Sequence, residues 1–333
     1  MFWQTVRPLV HLSRCGYNVG MYTRPTLPHI PRDANKYSRG SLLVLAGSRR
    51  YSGAGVLATL AAEKAGAGYV SLATPASAAP AARNHLICSP VIVALEDEEQ
   101  GSFVATALPA ILQEMRRVSA VCAGPGITVQ ENTKALIGEL LQHAAQNNLP
   151  LLLDADALGI LAADPALISE RQQYGAQNEL GATAQNPLVL SPHEGELARL
   201  HNAFILLPSE NTGDTRPATA LKVPVAEAAM ALADKLDAVI VAKGPATFIA
   251  GEGKLIEYNE ATPALAKAGT GDVLAGVVSS LLAQGMTALD AALLGVQIHS
   301  LAGVLAEQKQ GRRSVTALDV IDALPAAVVS FEN

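Results

Sequence analysis

Apolar residues in this chain come in short unbroken runs that end in turn residues, and stretches of helical composition follow them. The first run, Ser41 to Ala46 (Ser-Leu-Leu-Val-Leu-Ala), stops at Gly47-Ser48, as expected of a strand buried on both faces. Gly53 to Lys64 is a predicted helix that opens on small residues and is stopped by Gly66 and Gly68. Tyr69 to Ala73 is the next predicted strand, so the order reads as a βαβ unit of a parallel sheet with a right-handed crossover. Ser119 to Ala123, Leu151 to Leu153, Leu188 to Leu190 and Ala238 to Ala242 repeat the strand signal, with helices predicted over Thr133 to Gln146 and Val225 to Leu236. Phe248 to Ala250 and Lys254 to Tyr258 flank Gly251-Glu252-Gly253 as a β-hairpin. Three helices are predicted to close the chain: from the bend at Gly269 to Leu282, across Ala288 to Gln308, and across Ala317 to Val328. Residues 169 to 186 and 207 to 224 are polar without periodicity and read as surface excursions.

The unusual residues collect just after the predicted strands, the edge where open α/β sheets bind ligands. Gly124-Pro125-Gly126, Asp154-Ala155-Asp156, Ser191-Pro192-His193-Glu194-Gly195-Glu196 and Lys243-Gly244 all stand there. The richest stretch is Lys267-Ala268-Gly269-Thr270-Gly271-Asp272, which turns a glycine bend directly into an apolar helix. Gly269 and Gly271 allow successive N–H groups to converge on an oxyanion at a helix N-terminus. Asp272 is open to two readings, a cap for that helix or a carboxylate that does chemistry beside a phosphate. Lys243-Gly244, one hairpin away, could hold the other end of a polyphosphate. Neither a Walker-type segment nor a Gly-x-Gly-x-x-Gly after the first strand is present. His193, Glu194 and Glu196 lack a second cluster with metal-ligand spacing, which leaves a contact to substrate or to a Mg²⁺-bound water, or a helix-start role. Asp154 and Asp156 could orient a metal-bound water or a ribose, or one of them could cap the next helix.

Composition narrows the classes. With 333 residues, half of them hydrophobic, the chain can bury a large core in one or two domains; 4% aromatic residues and a net charge of −6 remove the stacking and electrostatic terms that nucleic-acid binding needs. Cys15, Cys88 and Cys122 have neither disulfide density nor metal spacing, which points to a reducing compartment. The apolar runs are broken before membrane-spanning length, so a soluble, cytoplasmic protein without a membrane partner is expected. Residues 1 to 31 hold no acidic residue and are expected to be an irregular extension ahead of a single domain over 32 to 330.

In joint order, several of these stretches resemble the ADP/ATP-dependent NAD(P)H-hydrate dehydratases of the ribokinase-like superfamily. They are Gly47-Ser48 with Tyr51-Ser52-Gly53-Ala54, Gly66-Ala67-Gly68, Gly124-Pro125-Gly126, Asp154 to Leu158, Ser191 to Glu196, Lys243-Gly244-Pro245-Ala246-Thr247 and Gly269-Thr270-Gly271-Asp272-Val273-Leu274. The resemblance spans roughly residues 32 to 328 and implies a three-layer α/β/α sandwich with a mostly parallel sheet. It also implies a repair reaction: ADP or ATP phosphorylates the hydroxyl of hydrated NADH or NADPH, and phosphate then leaves. By position, the resemblance makes Asp272 the base, with the turn from Gly269 to Gly271 stabilising the transferring phosphoryl group. Lys243, Gly244, Pro245, Ala246, Thr247, Thr270 and Gly271 would hold the nucleotide; Ala54, Gly126, His193 and Asp272 would line the hydrated-cofactor site. Mg²⁺ is implied, positioned through Glu196 and water, and so is a homo-oligomer, a tetramer. The chain departs from the family pattern over Thr262 to Ala268, where glycines are missing at 264 and 268 and Lys267 adds a cation expected near the phosphates. It also leaves no room for the epimerase domain that many bacterial members carry in front. Two rival functions remain: a small-molecule kinase acting on a sugar or hydroxymethyl group with the same aspartate, and a non-catalytic nucleotide sensor.

Overall fold

The computed structural model describes residues 24–86, 91–97, 101–176, 187–206 and 220–332. Its centre is a nine-stranded sheet in the order β3-β2-β1-β4-β5-β6-β7-β8-β9. The strands are β1 (Ser41–Leu45), β2 (Tyr69–Pro75), β3 (Val91–Leu95), β4 (Ala120–Ala123), β5 (Leu151–Leu153), β6 (Leu188–Leu190), β7 (Val239–Ala242), β8 (Thr247–Gly251) and β9 (Lys254–Tyr258). Strands β1 to β7 pair in parallel, and β8 and β9 add an antiparallel edge.

Alternation along the strands explains the layers. In β1, Leu42 and Val44 enter one core while Leu43 and Leu45 enter the other. The first core is covered by α1 (Ser52–Lys64), α2 (Ala79–His85), α9 (Thr270–Ala283), α10 (Ala288–Gln310) and α11 (Ala317–Val329). The second is covered by α3 (Leu108–Met115), α4 (Glu131–Gln146), α5 (Asp156–Ala163), α7 (Glu194–Phe204) and α8 (Val225–Leu236). The expected three-layer arrangement is therefore present. By length and composition α10 could cross a membrane, yet 72% of its apolar window is buried inside the protein, as a core helix requires.

Helix α9 approaches α1 at backbone distance. A β-carbon on Gly276 would run into the carbonyl of Ala58 and lie 2.9 Å from the Ala61 β-carbon. No side chain larger than hydrogen fits there. Strand order reverses at β1, which lies between β2 and β4, so a crevice opens at the carboxyl ends of β1 and β4. The Gly47 N–H donates to the Pro125 carbonyl at 2.8 Å across that point.

Some boundaries differ from the pattern. Residues 166–176 form α6 (Ala166–Ala176) where a polar excursion is predicted from 169 onward; Ile168 anchors it in the second core, and the Arg171 guanidinium donates to the Leu236 carbonyl. The rest of that stretch, 177–186, and most of the second excursion, 207–219, lie outside the described residues, as do residues 1–23 of the expected extension. Residues 24–30 have neither helix nor strand, and Arg24 stacks 4.0 Å over the Phe331 ring beyond α11.

Candidate active site

The glycine bend is the N-terminus of α9. Gly269 is its N-cap in the left-handed region, φ 90°, where a β-carbon would lie 2.7 Å from Leu57 Cδ1 and 3.1 Å from Ala317 Cβ. Asp272 occupies the first turn. No hydrogen bond to its carboxylate is found among the described residues, which decides against the capping reading. Desolvation and the neighbouring Asp154, only partly offset by Lys243, push its pKa up to about 7.

Lys243 extends from the end of β7. Its N–H pairs with the Pro192 carbonyl at 2.8 Å, which carries the β6–β7 pairing one step past the strands and holds His193 beside it. A methyl group on Gly271 would sit 3.4 Å from the Lys243 ammonium, so the two anion-friendly turns face each other. The ammonium bonds Asp154 Oδ1 at 2.7 Å, and the Ser191 hydroxyl donates to the same oxygen at 2.8 Å. Burial acts to lower the Lys243 pKa, but Asp154, Glu196 and Asp272 together hold it above the ordinary value. Asp154 and Asp156 flank Ala155, which adopts φ 52°, an uncommon angle for a side chain of that kind. Asp156 accepts the Thr128 N–H at 2.9 Å. Neither aspartate caps α5, whose start carries no side-chain cap bond.

His193 caps α7. Its Nδ1 accepts from the N–H groups of Gly195 and Glu196, and Glu196 Oε2 accepts the His193 N–H at 2.8 Å, a reciprocal capping box. Burial, Lys243 and Arg199 hold the His193 pKa below its usual value, so the ring is neutral near pH 7 with its proton on Nε2, 3.4 Å from Glu196 Oε1. Burial pushes Glu196 up to about 7. Glu196 thus fills the helix-start role left open by the sequence. Among the described residues no group of three or more His, Cys, Asp or Glu forms a metal cage. That donor set still fits Mg²⁺ carried on nucleotide phosphates, because this ion keeps several waters and takes only one or two carboxylates.

A cavity of about 460 Å³ runs from this polar end into the space between α9 and α10. Of the residues expected to hold the nucleotide, Lys243, Gly244, Pro245, Thr247, Thr270 and Gly271 line it and Ala246 does not; His193, expected at the hydrated-cofactor site, lines it too. Leu265, Leu274, Val296, His299 and Ser300 line its inner part and were not singled out by the sequence. Lys267 points elsewhere: its ammonium donates to the Arg313 carbonyl at 2.8 Å, in the turn before α11, and it is absent from the cavity wall. Of these two lysines, Lys243 lines the cavity and Lys267 does not. The altered run itself is ordered, with a short 3₁₀ turn at Pro263–Leu265 and the Thr270 hydroxyl shared between the Leu265 and Lys267 carbonyls.

On the other side of the bend, Gly126 has φ 67°, and a β-carbon there would lie 2.8 Å from Tyr51 Cβ and 3.0 Å from Ala54 Cβ. Ala54 and Gly126 are thereby brought together at the strand-order reversal, one helical turn from the Leu57 that touches Gly269.

Comparison with known proteins agrees with this geometry. The family profile described as NAD(P)H-hydrate dehydratase matches residues 42–326. An ADP-dependent (S)-NAD(P)H-hydrate dehydratase of Xanthomonas campestris is 32% identical over 87% of this chain and 89% of its own length. A bifunctional NAD(P)H-hydrate repair enzyme of Thermofilum pendens is 33% identical over 92% of this chain; the chain spans about half of that relative, 53%. Among solved structures, the ADP/ATP-dependent NAD(P)H-hydrate dehydratase of Bacillus subtilis, co-crystallised with ATP and Mg²⁺, superposes with a TM-score of 0.68 at 26% identity, over 92% of this chain and 95% of that one. A ribokinase-like superfamily protein of Enterococcus faecalis gives a TM-score of 0.71 at 19% identity over 92% and 93% of the two chains, which supports the fold. With its profile match over most of the chain and a full-length relative at this identity, the chain belongs to the NAD(P)H-hydrate dehydratase family.

Proposed function

We propose that this chain dehydrates the S epimer of hydrated NADH and NADPH at the expense of ADP or ATP. The observation that carries the proposal is Asp272, an unpaired, partly buried carboxylate at a helix N-terminus whose bend faces a lysine across Gly271. A carboxylate with a pKa near 7 is matched to taking a proton from a hydroxyl at neutral pH. As it does so, the hydroxyl oxygen bonds to the terminal phosphorus and the bond to the nucleotide's bridging oxygen breaks. The N–H groups of the Gly269 to Asp272 turn and the Lys243 ammonium stabilise the charge on the transferring group. In the second stage the ring C–O bond breaks, its electron pair leaves with phosphate, and a proton departs from the adjacent ring carbon. The sum is one water removed and one phosphoanhydride cleaved. Mg²⁺, held through water by Glu196, would neutralise charge on the nucleotide phosphates.

The nucleotide occupies the cavity between α9 and α10, and the hydrated nicotinamide ring approaches Asp272 from Ala54, Gly126 and His193. The partners are small molecules, in a cytoplasmic homo-oligomer without nucleic acid or membrane. The test is a spectrophotometric assay of hydrated NADH with ADP, ATP or neither. Recovery of NADH absorbance that requires a nucleotide is expected. A stable phosphorylated compound without NADH recovery would make the protein a kinase, and binding of ADP without any turnover would make it a sensor.

A further inference from the structure

Part of the run in which the chain departs from the family pattern is a wall of the cavity: Thr262, Pro263, Leu265 and Ala266 all line it. Between Thr262 and Gly269 the backbone has only the 3₁₀ turn at Pro263–Leu265, too short to hold itself. Three contacts from outside the run hold it instead, and all come from α10 or the turn after it. The Thr262 hydroxyl donates to the Glu307 carboxylate near the end of α10, while the same oxygen accepts the Ala264 N–H at 3.1 Å and starts the turn. Glu307 is braced in turn by Arg312, whose Nε donates to its Oε1 at 2.7 Å. At the far end of the run, the Lys267 ammonium donates to the Arg313 carbonyl at 2.8 Å. Between these two ties, Leu265 fills a notch left by Gly303 of α10, where a β-carbon would lie 2.7 Å from the leucine side chain.

None of Lys267, Glu307, Arg312 and Arg313 lines the cavity, so their effect on a ligand passes through the wall. Exposed ion pairs such as Arg312–Glu307 add little to global stability. Their worth here is local. Hydrogen bonds from Thr262 and Arg312 hold the Glu307 carboxyl below its usual pKa, so at neutral pH it is an anion and a strong acceptor for the Thr262 hydroxyl. The Thr270 hydroxyl, shared between the Leu265 and Lys267 carbonyls, passes the restraint on to the first residue of α9. An irregular segment that must be ordered by its ligand subtracts that ordering from the affinity; one fixed beforehand does not.

We propose that Glu307 and Lys267 are positioning residues for the adenine nucleotide, which fix the wall from Thr262 to Lys267 in its binding shape before the nucleotide arrives. Lys267 then acts on the nucleotide by tying down the wall, and not by placing a charge at the phosphates. The four amides from Ala264 to Lys267 report on this state, because each is hydrogen-bonded within the run. Losing the ties frees those amides to exchange while leaving the two cores untouched. The inference rests on the adenine nucleotide occupying this cavity, as proposed above.

The experiment measures amide hydrogen exchange and calorimetric ADP affinity on the full chain, for the wild type, Glu307→Ala, Lys267→Met, the double variant and Glu307→Gln, whose amide oxygen can still accept from Thr262. Without nucleotide, exchange from Ala264 to Lys267 should quicken about tenfold in Glu307→Ala and further in the double variant, and saturating ADP should return it to the wild-type rate. ADP affinity should fall about fivefold in Glu307→Ala, and Glu307→Gln should recover part of both effects. In turnover of hydrated NADH, the KM for ADP should rise by the same factor, with kcat and the KM for hydrated NADH within about twofold of wild type. Wild-type ADP affinity in Glu307→Ala and in the double variant would overturn the positioning role while leaving the nucleotide in its cavity. A loss that fell equally on kcat or on hydrated NADH would be a general loosening of the fold and would overturn it too. Failure of the wild type itself to bind ADP would remove the nucleotide from this cavity, and the positioning role with it.

Discussion

Two carboxylates at this sheet edge share one ammonium and are left in opposite states. At the end of β5, Asp154 is 1% exposed and fully committed, its Oδ1 taking both Lys243 and the Ser191 hydroxyl. At the start of α9, Asp272 feels Lys243 only through space and has no hydrogen bond, so desolvation governs it. The same residue type a few residues from a strand end or a helix start can be an anchor or a reagent. What separates the two is whether the local fold supplies a partner. Asp154 orients Lys243; in the proposed reaction that lysine would meet the phosphates and Asp272 would take the proton.

The strongest way to break this contrast is at the reagent. Asp272→Asn should lower turnover of hydrated NADH by about 10³-fold while calorimetry finds ADP affinity within about threefold of wild type. Retained turnover would sink the base assignment. The mirror substitution, Asp154→Asn, should act on the fold first: breaking a buried ion pair costs about 3 kcal/mol of stability, measurable by urea denaturation, and ADP affinity should fall as Lys243 loses its orientation. If Asp154→Asn left stability and affinity untouched, the anchor role would be wrong.

The pH dependence sharpens the comparison. Because Asp272 must be ionised to accept a proton and its pKa stands near 7, kcat/KM should fall about tenfold per pH unit below that value and level off above it. A profile flat down to pH 5 would contradict an unpaired base. The smallest effect is on stability. The folded pKa of Asp272 lies above the ordinary carboxylate value, so its neutral form favours the fold, most fully below about pH 4, and that contribution is lost as pH rises through 7. Relative to Asp272→Asn, the nucleotide-free wild type should therefore lose stability between pH 4 and 7 and level off above that, a trend denaturant titrations at several pH values would detect.

The parallel strands were readable because each is a short apolar run on which both faces are buried, and Leu151–Leu153 and Leu188–Leu190 match their predicted spans. Helix α6 was not, because Ser169 to Gln173 has no apolar stripe; tertiary contacts around Ile168 and Arg171 support it. The short helix α2 went unassigned for a related reason, since Ala79 and Ala82 are its only buried residues; β3 and α3 also went unassigned, although α3 packs Leu108, Ile111, Leu112 and Met115 on the second core. In the site, local motifs carried their own signal: the Gly269 bend, the His193 segment and Lys243-Gly244 needed only turn chemistry to be noticed. The Asp154–Lys243 pair joins residues far apart in the chain, and no spacing announces it. His299 is hidden by its helix, because a lone imidazole inside the long apolar run of α10 reads as packing, and only the fold shows that the residue lines the cavity.

The contact of Gly276 with the Ala58 backbone has a mechanical consequence. It locks α1 to α9, and so fastens the helix start that carries Ala54 to the helix start that carries Asp272. In the proposed reaction, substrate and phosphoryl donor would then be referenced to one frame. If the proposed reaction holds, a redesign for a larger dinucleotide would have to move both helices in concert, because widening one side of the crevice alone would draw Asp272 away from the Ala54 side.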